Sequence, residues 1–188
     1  MRSTPPACLL FLLGAICLGT VLPGAPLATA GEGPALADGW ESVRLKAAPF
    51  EVKDLGGRPL RLGDLAGKVV VIDFWASWCR PCIQELPELA AYHRRLAGRK
   101  DVALLSFNVG EDRAAVQAFL KSSPVSFPVY CGDALVEPLE LAAFPTKMIL
   151  DARKPEEDGS ALVRFRREGL TSVASIEARV AALLAEGP

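Results

Sequence analysis

Val69-Val70-Val71-Ile72-Asp73-Phe74-Trp75-Ala76-Ser77-Trp78-Cys79-Arg80-Pro81-Cys82-Ile83-Gln84-Glu85-Leu86-Pro87 is the stretch that decides the fold of this chain. Four consecutive β-branched residues open it, and a continuous apolar run of this kind suits a strand covered on both faces. Beyond Cys82 the period changes. Ile83, Leu86, Leu89 and Ala90 can share one face of a helix. Two cysteines separated by two residues therefore sit where a strand hands over to a helix.

That position has chemical consequences. The thiolate, not the thiol, is the nucleophile, and a free cysteine near neutral pH is mostly protonated. The first turn of a helix carries unpaired N–H groups, equivalent to roughly half a positive charge. A thiolate at Cys79 is stabilised there, and Arg80 adds a formal charge beside it. Pro81 suits the first turn because its missing N–H would have had no partner. Cys82 lies one turn on and can close a disulfide with Cys79. The pair reads as a dithiol–disulfide couple, with half a zinc site or a fixed structural bridge as alternatives. A zinc site needs four ligands as a rule. It would have to recruit both Cys131 and His93, the one histidine of the chain.

The segment Asp73-Phe74-Trp75-Ala76-Ser77-Trp78-Cys79-Arg80-Pro81-Cys82 resembles the active-site segment of the thioredoxin superfamily. Cys82-Ile83-Gln84-Glu85-Leu86-Pro87 is similar to the TlpA/ResA-like branch of extracytoplasmic thiol–disulfide oxidoreductases, which carries a glutamate and then a proline at these points. The resemblance runs from about Pro49 to the C-terminus. It implies an α/β thioredoxin fold of three layers, α/β/α, around a central mixed sheet, with an added N-terminal β-hairpin.

The remainder of the 188 residues agrees with one domain plus a leader. Charges nearly cancel, 21 Lys+Arg against 22 Asp+Glu, and they are scattered, which argues against nucleic acid as a partner. Residues 1–30 read as a signal peptide. Arg2 precedes an uncharged run from Ala7 to Leu22, helix breakers follow, and Ala28-Thr29-Ala30 has the small-x-small form of a cleavage site. The run at 7–22 is short for a membrane span of about 20 residues, and an uncleaved anchor there is the alternative. Cys8 and Cys17 fall in this leader. Ile16 before Cys17 does not suit a lipoprotein signal. Either way the domain is exported, to a periplasm or to the outer face of a membrane.

Residues 31–46 read as a polar linker in which Trp40 and Leu45 dock on the domain, and residues 47–188 form that domain. Short strands are expected at Ala48–Lys53 and Leu60–Leu62 around the turn Gly56-Gly57-Arg58-Pro59. A helix from Pro81 to Leu96 is interrupted by Pro87, which kinks it. A strand over Val102–Val109, a helix from Arg113 to Ser122 capped by Asp112, and a short strand at Ser126–Tyr130 follow. Gly132 to Ala142 is a loop with one helical turn. A hairpin of Thr146–Leu150 and Ala161–Arg167, then a helix from about Ser172 to Ala185 capped by Ser172 or Thr171, complete the chain.

Five further positions can carry chemistry. Asp73 stands inside an apolar strand, where a carboxylate is expensive to bury and where perturbed acids often mark working sites. The resemblance implies a buried aspartate behind the second cysteine that exchanges protons with it. Much of the TlpA/ResA-like branch has asparagine there, so this chain leans toward thioredoxin proper. Glu85, three residues after Cys82, shares its helix face and can take its proton. Pro145 matches the loop proline that in such folds is cis, lies against the cysteine pair, and leaves backbone groups free for an extended peptide. Trp78 and Pro81 complete the substrate-binding rim, with Trp78 shielding the disulfide. Cys131 is left as an unpaired thiol, and His93 falls on the polar face of the motif helix.

Together these residues imply an exported protein-disulfide oxidoreductase. Cys79 attacks a disulfide-bearing protein, Cys82 resolves the mixed disulfide, and a membrane thiol reductant restores the pair. The resembled branch implies apocytochrome c as the partner. No cofactor and no metal are called for. A peroxiredoxin-like thiol peroxidase is the alternative of another class. It wants Pro-x-x-x-Thr-x-x-Cys where this chain has Trp75-Ala76-Ser77-Trp78-Cys79. A copper-delivery module of the same fold is a third possibility. It uses a wider cysteine spacing and a later histidine, which this chain does not offer.

Overall fold

The computed structural model describes residues Glu32–Ala35 and 38–187. The leader expected over residues 1–30, with Cys8, Cys17 and the alternative anchor at 7–22, lies outside the described residues. Among the described residues no helix is long and apolar enough to cross a membrane.

The chain runs β1 (Glu32–Ala35), β2 (Glu41–Ala47), β3 (Glu51–Lys53), β4 (Pro59–Arg61), β5 (Lys68–Trp75), α1 (Arg80–Arg95), β6 (Val102–Asn108), α2 (Arg113–Leu120), β7 (Val129–Cys131), β8 (Thr146–Ala152), β9 (Ala161–Glu168) and α3 (Val173–Ala185). Seven strands form one mixed sheet in the order β1-β2-β9-β8-β5-β6-β7. β5 lies inside it, parallel to β6 and antiparallel to β8. Both its faces are covered, as the unbroken Val-Val-Val-Ile run requires. Val69, Val71 and Trp75 pack with α1 and α3 on one side. Val70, Ile72 and Phe74 pack on the other side with Val52, Leu62, Leu65, Leu135 and Leu139. That second layer is built from the separate β3–β4 hairpin and from short 3-10 turns at Leu62–Leu65 and Asp133–Leu135.

Caps fall where the sequence places them. Asp112 Oδ1 accepts the Ala115 N–H at 2.9 Å, and Ser172 Oγ accepts the Ser175 N–H at 3.2 Å. α1 continues through Pro87, and the carbonyl that loses its partner there belongs to Ile83, an exposed residue. The buried face of α1 differs from expectation. Ile83 points outward, while Cys82 and Glu85 turn inward with Leu86, Leu89 and Ala90. His93 leaves the polar face as well: its ring sits 5.4 Å from that of Phe127, and burial lowers its pKa.

The linker expected over residues 31–46 is corrected by the structure. Glu41–Ala47 is a strand paired antiparallel with β9, and Glu32–Ala35 extends the sheet beyond it. The reason is visible in the alternation of Val43, Leu45 and Ala47 with polar residues, which suits a strand near the sheet edge. Trp40 anchors its start. It is fully buried, and its Nε1–H donates to Ser175 Oγ on α3 at 2.9 Å. Trp40→Ala is expected to cost about 3–5 kcal/mol in chemical denaturation, whereas a tryptophan in a free linker would cost nothing measurable.

Candidate active site at the Cys79–Cys82 disulfide

β5 delivers the chain to the site, and the turn Ala76–Trp78 changes its direction. Cys79 is the N-cap of α1, with extended backbone, and Cys82 lies in the first turn. The two sulfurs are joined in a disulfide. The Cys82 N–H donates to Cys79 Sγ at 3.3 Å, so one of the unpaired N–H groups of the helix start is aimed at that sulfur. Both cysteines are nearly closed off, Cys79 5% exposed and Cys82 2%. Pro81 occupies the first helical turn, where no N–H is missed.

Glu111 fixes the turn that carries Cys79. Its carboxylate accepts the Ser77 N–H at 2.6 Å, the Asn108 Nδ2–H at 2.7 Å and the Ser77 hydroxyl. Burial works to raise its pKa, but these donors outweigh it and hold the carboxyl below the usual glutamate range. Sequence reasoning missed Glu111. Nothing in Gly110-Glu111-Asp112 points to a loop 34 residues earlier.

Asp73 and Glu85 are brought together, by a residue the sequence did not single out. Lys147, on β8 directly opposite Asp73, places Nζ 2.9 Å from Asp73 Oδ1 and 2.5 Å from Glu85 Oε2. Lys147 and Asp73 are each 1% exposed. Lys147 makes an aligned hydrogen bond to Glu85, while Asp73 Oδ1 has charge contact without an aligned donor. Asp73 Oδ2 receives the Ser106 hydroxyl at 3.3 Å, and Ser106 receives the indole N–H of Trp75 at 2.9 Å. Glu85 Oε1 accepts the Thr171 N–H at 2.6 Å. Burial pushes the Glu85 carboxyl above its ordinary value, against the pull of Lys147. For Lys147 burial acts downward, but Asp73 and Glu85 prevail and keep it above the ordinary lysine value. The one available signal was a lysine in the apolar strand Thr-Lys-Met-Ile-Leu, on the same strand face as Ile149.

The opposite wall of the site is the loop before β8. The Phe144–Pro145 bond is cis, as the resemblance implies, and Pro145 is buried. The Phe144 ring meets the edge of Trp78 at 5.8 Å, so the residues preceding Pro145 and Cys79 touch. Trp78 itself is 67% exposed. The free backbone groups are not those of Pro145, whose C=O accepts the Gly169 N–H at 2.8 Å. Among the described residues the N–H and C=O of Phe144 have no partner. Cys131 is a half-buried free thiol at the end of β7, outside this cluster.

With this geometry in place, comparison with known proteins is informative. Residues 43–141 match the AhpC/TSA family. The chain belongs to that family. It is 33% identical over 107 residues to the thiol-disulfide oxidoreductase ResA of Bacillus subtilis (strain 168), covering 56% of this chain and 59% of that protein. It is 30% identical over 126 residues to the protein of the same name from Bacillus thuringiensis subsp. konkukian (strain 97-27), covering 65% and 69%. The alignment to the first of these relatives thus spans less than two thirds of its length. Among solved structures, the pneumococcal exposed lipoprotein thioredoxin Etrx1 from Streptococcus pneumoniae strain TIGR4 superposes with a TM-score of 0.62 at 25% identity, over 72% of this chain and 99% of that one. The thioredoxin fold expected from the sequence is the fold observed.

Two predictions follow from the charges. Glu111→Gln is expected to destabilise the protein by about 1–3 kcal/mol and to speed amide exchange at Ser77. Because Glu111 has a depressed folded pKa, its contribution is present above the unfolded glutamate pKa and is lost as pH falls through the folded value. The variant's deficit, measured by urea denaturation, therefore shrinks in acid. Lys147→Met leaves two buried carboxylates without a cation and is expected to cost about 3–5 kcal/mol at neutral pH. Here burial raises the Glu85 pKa in the fold, so the sign reverses. The variant is most stable below the unfolded glutamate pKa and loses stability as pH rises through the raised value.

Proposed function

We propose that the protein is an exported thiol–disulfide oxidoreductase that reduces disulfides of partner proteins through Cys79 and Cys82. The observation that carries this is the disulfide at the mouth of α1, with the Cys82 N–H aimed at Cys79 Sγ and an ion-paired carboxylate cluster buried beneath. The relatives' name, thiol-disulfide oxidoreductase, supports it.

In the reduced state the helix N-terminus favours the thiolate at Cys79. That sulfur attacks the partner's disulfide. One partner sulfur leaves with the electron pair, and the other is held as a mixed disulfide. Cys82 then loses its proton to the neighbouring carboxylates, Glu85 one helical turn on and Asp73 on β5, and attacks Cys79. The Cys79–Cys82 bond re-forms, and the partner departs as a dithiol. The exposed Trp78 ring, Pro81 and the backbone at Phe144–Pro145 form the surface on which an extended segment of the partner lies. A membrane thiol reductant returns two electrons to the pair. Apocytochrome c, whose Cys-x-x-Cys-His haem site oxidises readily to a disulfide, is the partner class that the TlpA/ResA-like resemblance supports. The leader expected at 1–30 supports an exchange outside the cytoplasm.

Insulin reduction with dithiothreitol, run beside peroxide consumption, tests this. Insulin turnover by the wild type is expected, with loss in Cys79→Ala. Cys82→Ala is expected to accumulate a mixed disulfide recoverable from a periplasmic extract. Full turnover by Cys82→Ala would exclude the two-cysteine mechanism, and rapid peroxide consumption without insulin reduction would move the protein to the peroxidase class.

A further inference from the structure

A polar row crosses the sheet beneath α1 and α3. Ser106 on β6, Asp73 on β5, Lys147 on β8 and Arg167 on β9 are register neighbours. The flanking residues on this face, Val71, Leu104, Ile149 and Phe165, are apolar and buried. Lys147 is at the centre of the row. The groups around its ammonium are Asp73 from β5, Glu85 from α1 and Arg167 as its pair on β9, with the Ser106 hydroxyl beyond Asp73 and the Thr171 N–H on the far oxygen of Glu85. Arg167 turns its Nη2 to the Leu170 carbonyl at 3.1 Å, so the ion contacts of Asp73 and Glu85 are with Lys147. Two carboxylates and one ammonium thus form a buried unit of net charge −1.

The members of this unit differ in access to water. Asp73 is shut in, at 1% exposure. Glu85 lines a surface cavity of about 310 Å³ together with Gln84, Glu88, Leu170, Thr171 and Ser172. One element of the exchange reaction needs such an arrangement. Cys82, 2% exposed, must shed a proton before it can attack.

We propose that Lys147 is a positioning residue for the redox step. It ties Asp73 and Glu85 into one acceptor that takes the single proton lost by Cys82 and releases it through Glu85 into the cavity. Two like charges held together out of water do not both stay ionised. Without the ammonium, one carboxyl is already protonated before the thiol has a proton to give, and the acceptor is full. With the ammonium one of the two negative charges is offset, and the unit becomes neutral overall on taking one proton. In the mixed disulfide, Cys82 Sγ–H passes its proton to this pair. The Cys82 thiolate attacks Cys79 Sγ, the Cys79–Cys82 bond forms, and the bond from Cys79 to the partner sulfur breaks with its electron pair leaving on the partner. Glu85 then yields the proton to water, and Lys147 keeps its own protons throughout.

This inference rests on Cys82 being the resolving thiol, and the test separates the two ideas. The reduced protein is mixed with a chromogenic aromatic disulfide under stopped flow. Attack by Cys79 releases one coloured thiolate, and resolution by Cys82 releases the second. Both phases are followed from pH 5 to pH 9 in wild type, Lys147→Met, Lys147→Arg and the double variant Asp73→Asn/Lys147→Met. The double variant keeps the buried charge balance and guards against a misfolded single variant. Loss of Lys147 is expected to slow the second phase at least about tenfold at pH 7 and to move its pH midpoint upward, with the first phase changed less than about twofold. Lys147→Arg is expected to restore most of the second-phase rate. Equal slowing of both phases, or a second phase with wild-type rate and midpoint in the variants lacking Lys147, would overturn the assignment. Absence of the first phase in the wild type would instead sink the oxidoreductase mechanism.

Discussion

An ammonium held between two carboxylates, with Lys147 and Asp73 shut from water and Glu85 mostly so, constrains this structure more than any other contact. A single buried charge of this kind costs several kcal/mol, so each member requires the other two at short range. Asp73 arrives on β5, Lys147 on β8 and Glu85 on α1. The strands must pair in the register that sets Asp73 opposite Lys147. A slip of one residue would turn Lys147 to the opposite face of the sheet and leave the carboxylates without a cation. α1 must dock with Glu85 inward although Ile83 is the more apolar side chain. The start of α3 must close over it, so that the Thr171 N–H meets the remaining oxygen. Three elements of the core are thereby tied to one geometry.

The same arrangement gives the two sulfurs unlike surroundings. Cys79 sits at the positive end of α1 and receives a backbone N–H. Cys82 is one turn deeper, on the face that carries Glu85. In the proposed exchange, the positive environment favours the thiolate at Cys79, and the carboxylates serve as proton acceptor for Cys82. The two sulfurs are thus set apart by their place in the fold. Glu111 holds the preceding turn with two hydrogen bonds from Ser77 and is itself held by Asn108, so Cys79 is presented from a rigid support. Trp78 and the loop through Phe144 and Pro145 touch each other on the open side. The open side therefore presents aromatic surface and free backbone groups beside the sulfurs.

Much of this was legible before any coordinates. The unbroken Val69–Ile72 run gave the central strand because no polar group interrupts it, and the period change after Cys82 gave the helix. Asp112 and Ser172 announced helix starts through side chains that cap N–H groups within three residues. These signals share a short range. Failures came where range was long or burial partial. β2 looked like linker because a strand near the sheet edge, covered on one side, shows only every second residue as apolar, and its partner β9 lies more than a hundred residues away. Lys147 passed unnoticed because a lysine is ordinarily a surface residue. Its burial makes sense only once two acids are known to converge on it. Glu111 offers no local pattern at all.

The sequence by itself determined much of the local vocabulary: the core strands, the three helices and their starts, and that a pair of sulfurs stands at one junction. Those are matters of dihedral preference, period and capping, settled within a few residues of chain. Tertiary structure alone decided the electrostatic partnership beneath the pair, the direction in which Glu85 turns, and the backbone left open at Phe144. Charge pairing in a medium of low dielectric depends on distances of a few ångströms between residues dozens of positions apart. Only the packed sheet, with its register fixed, sets those distances.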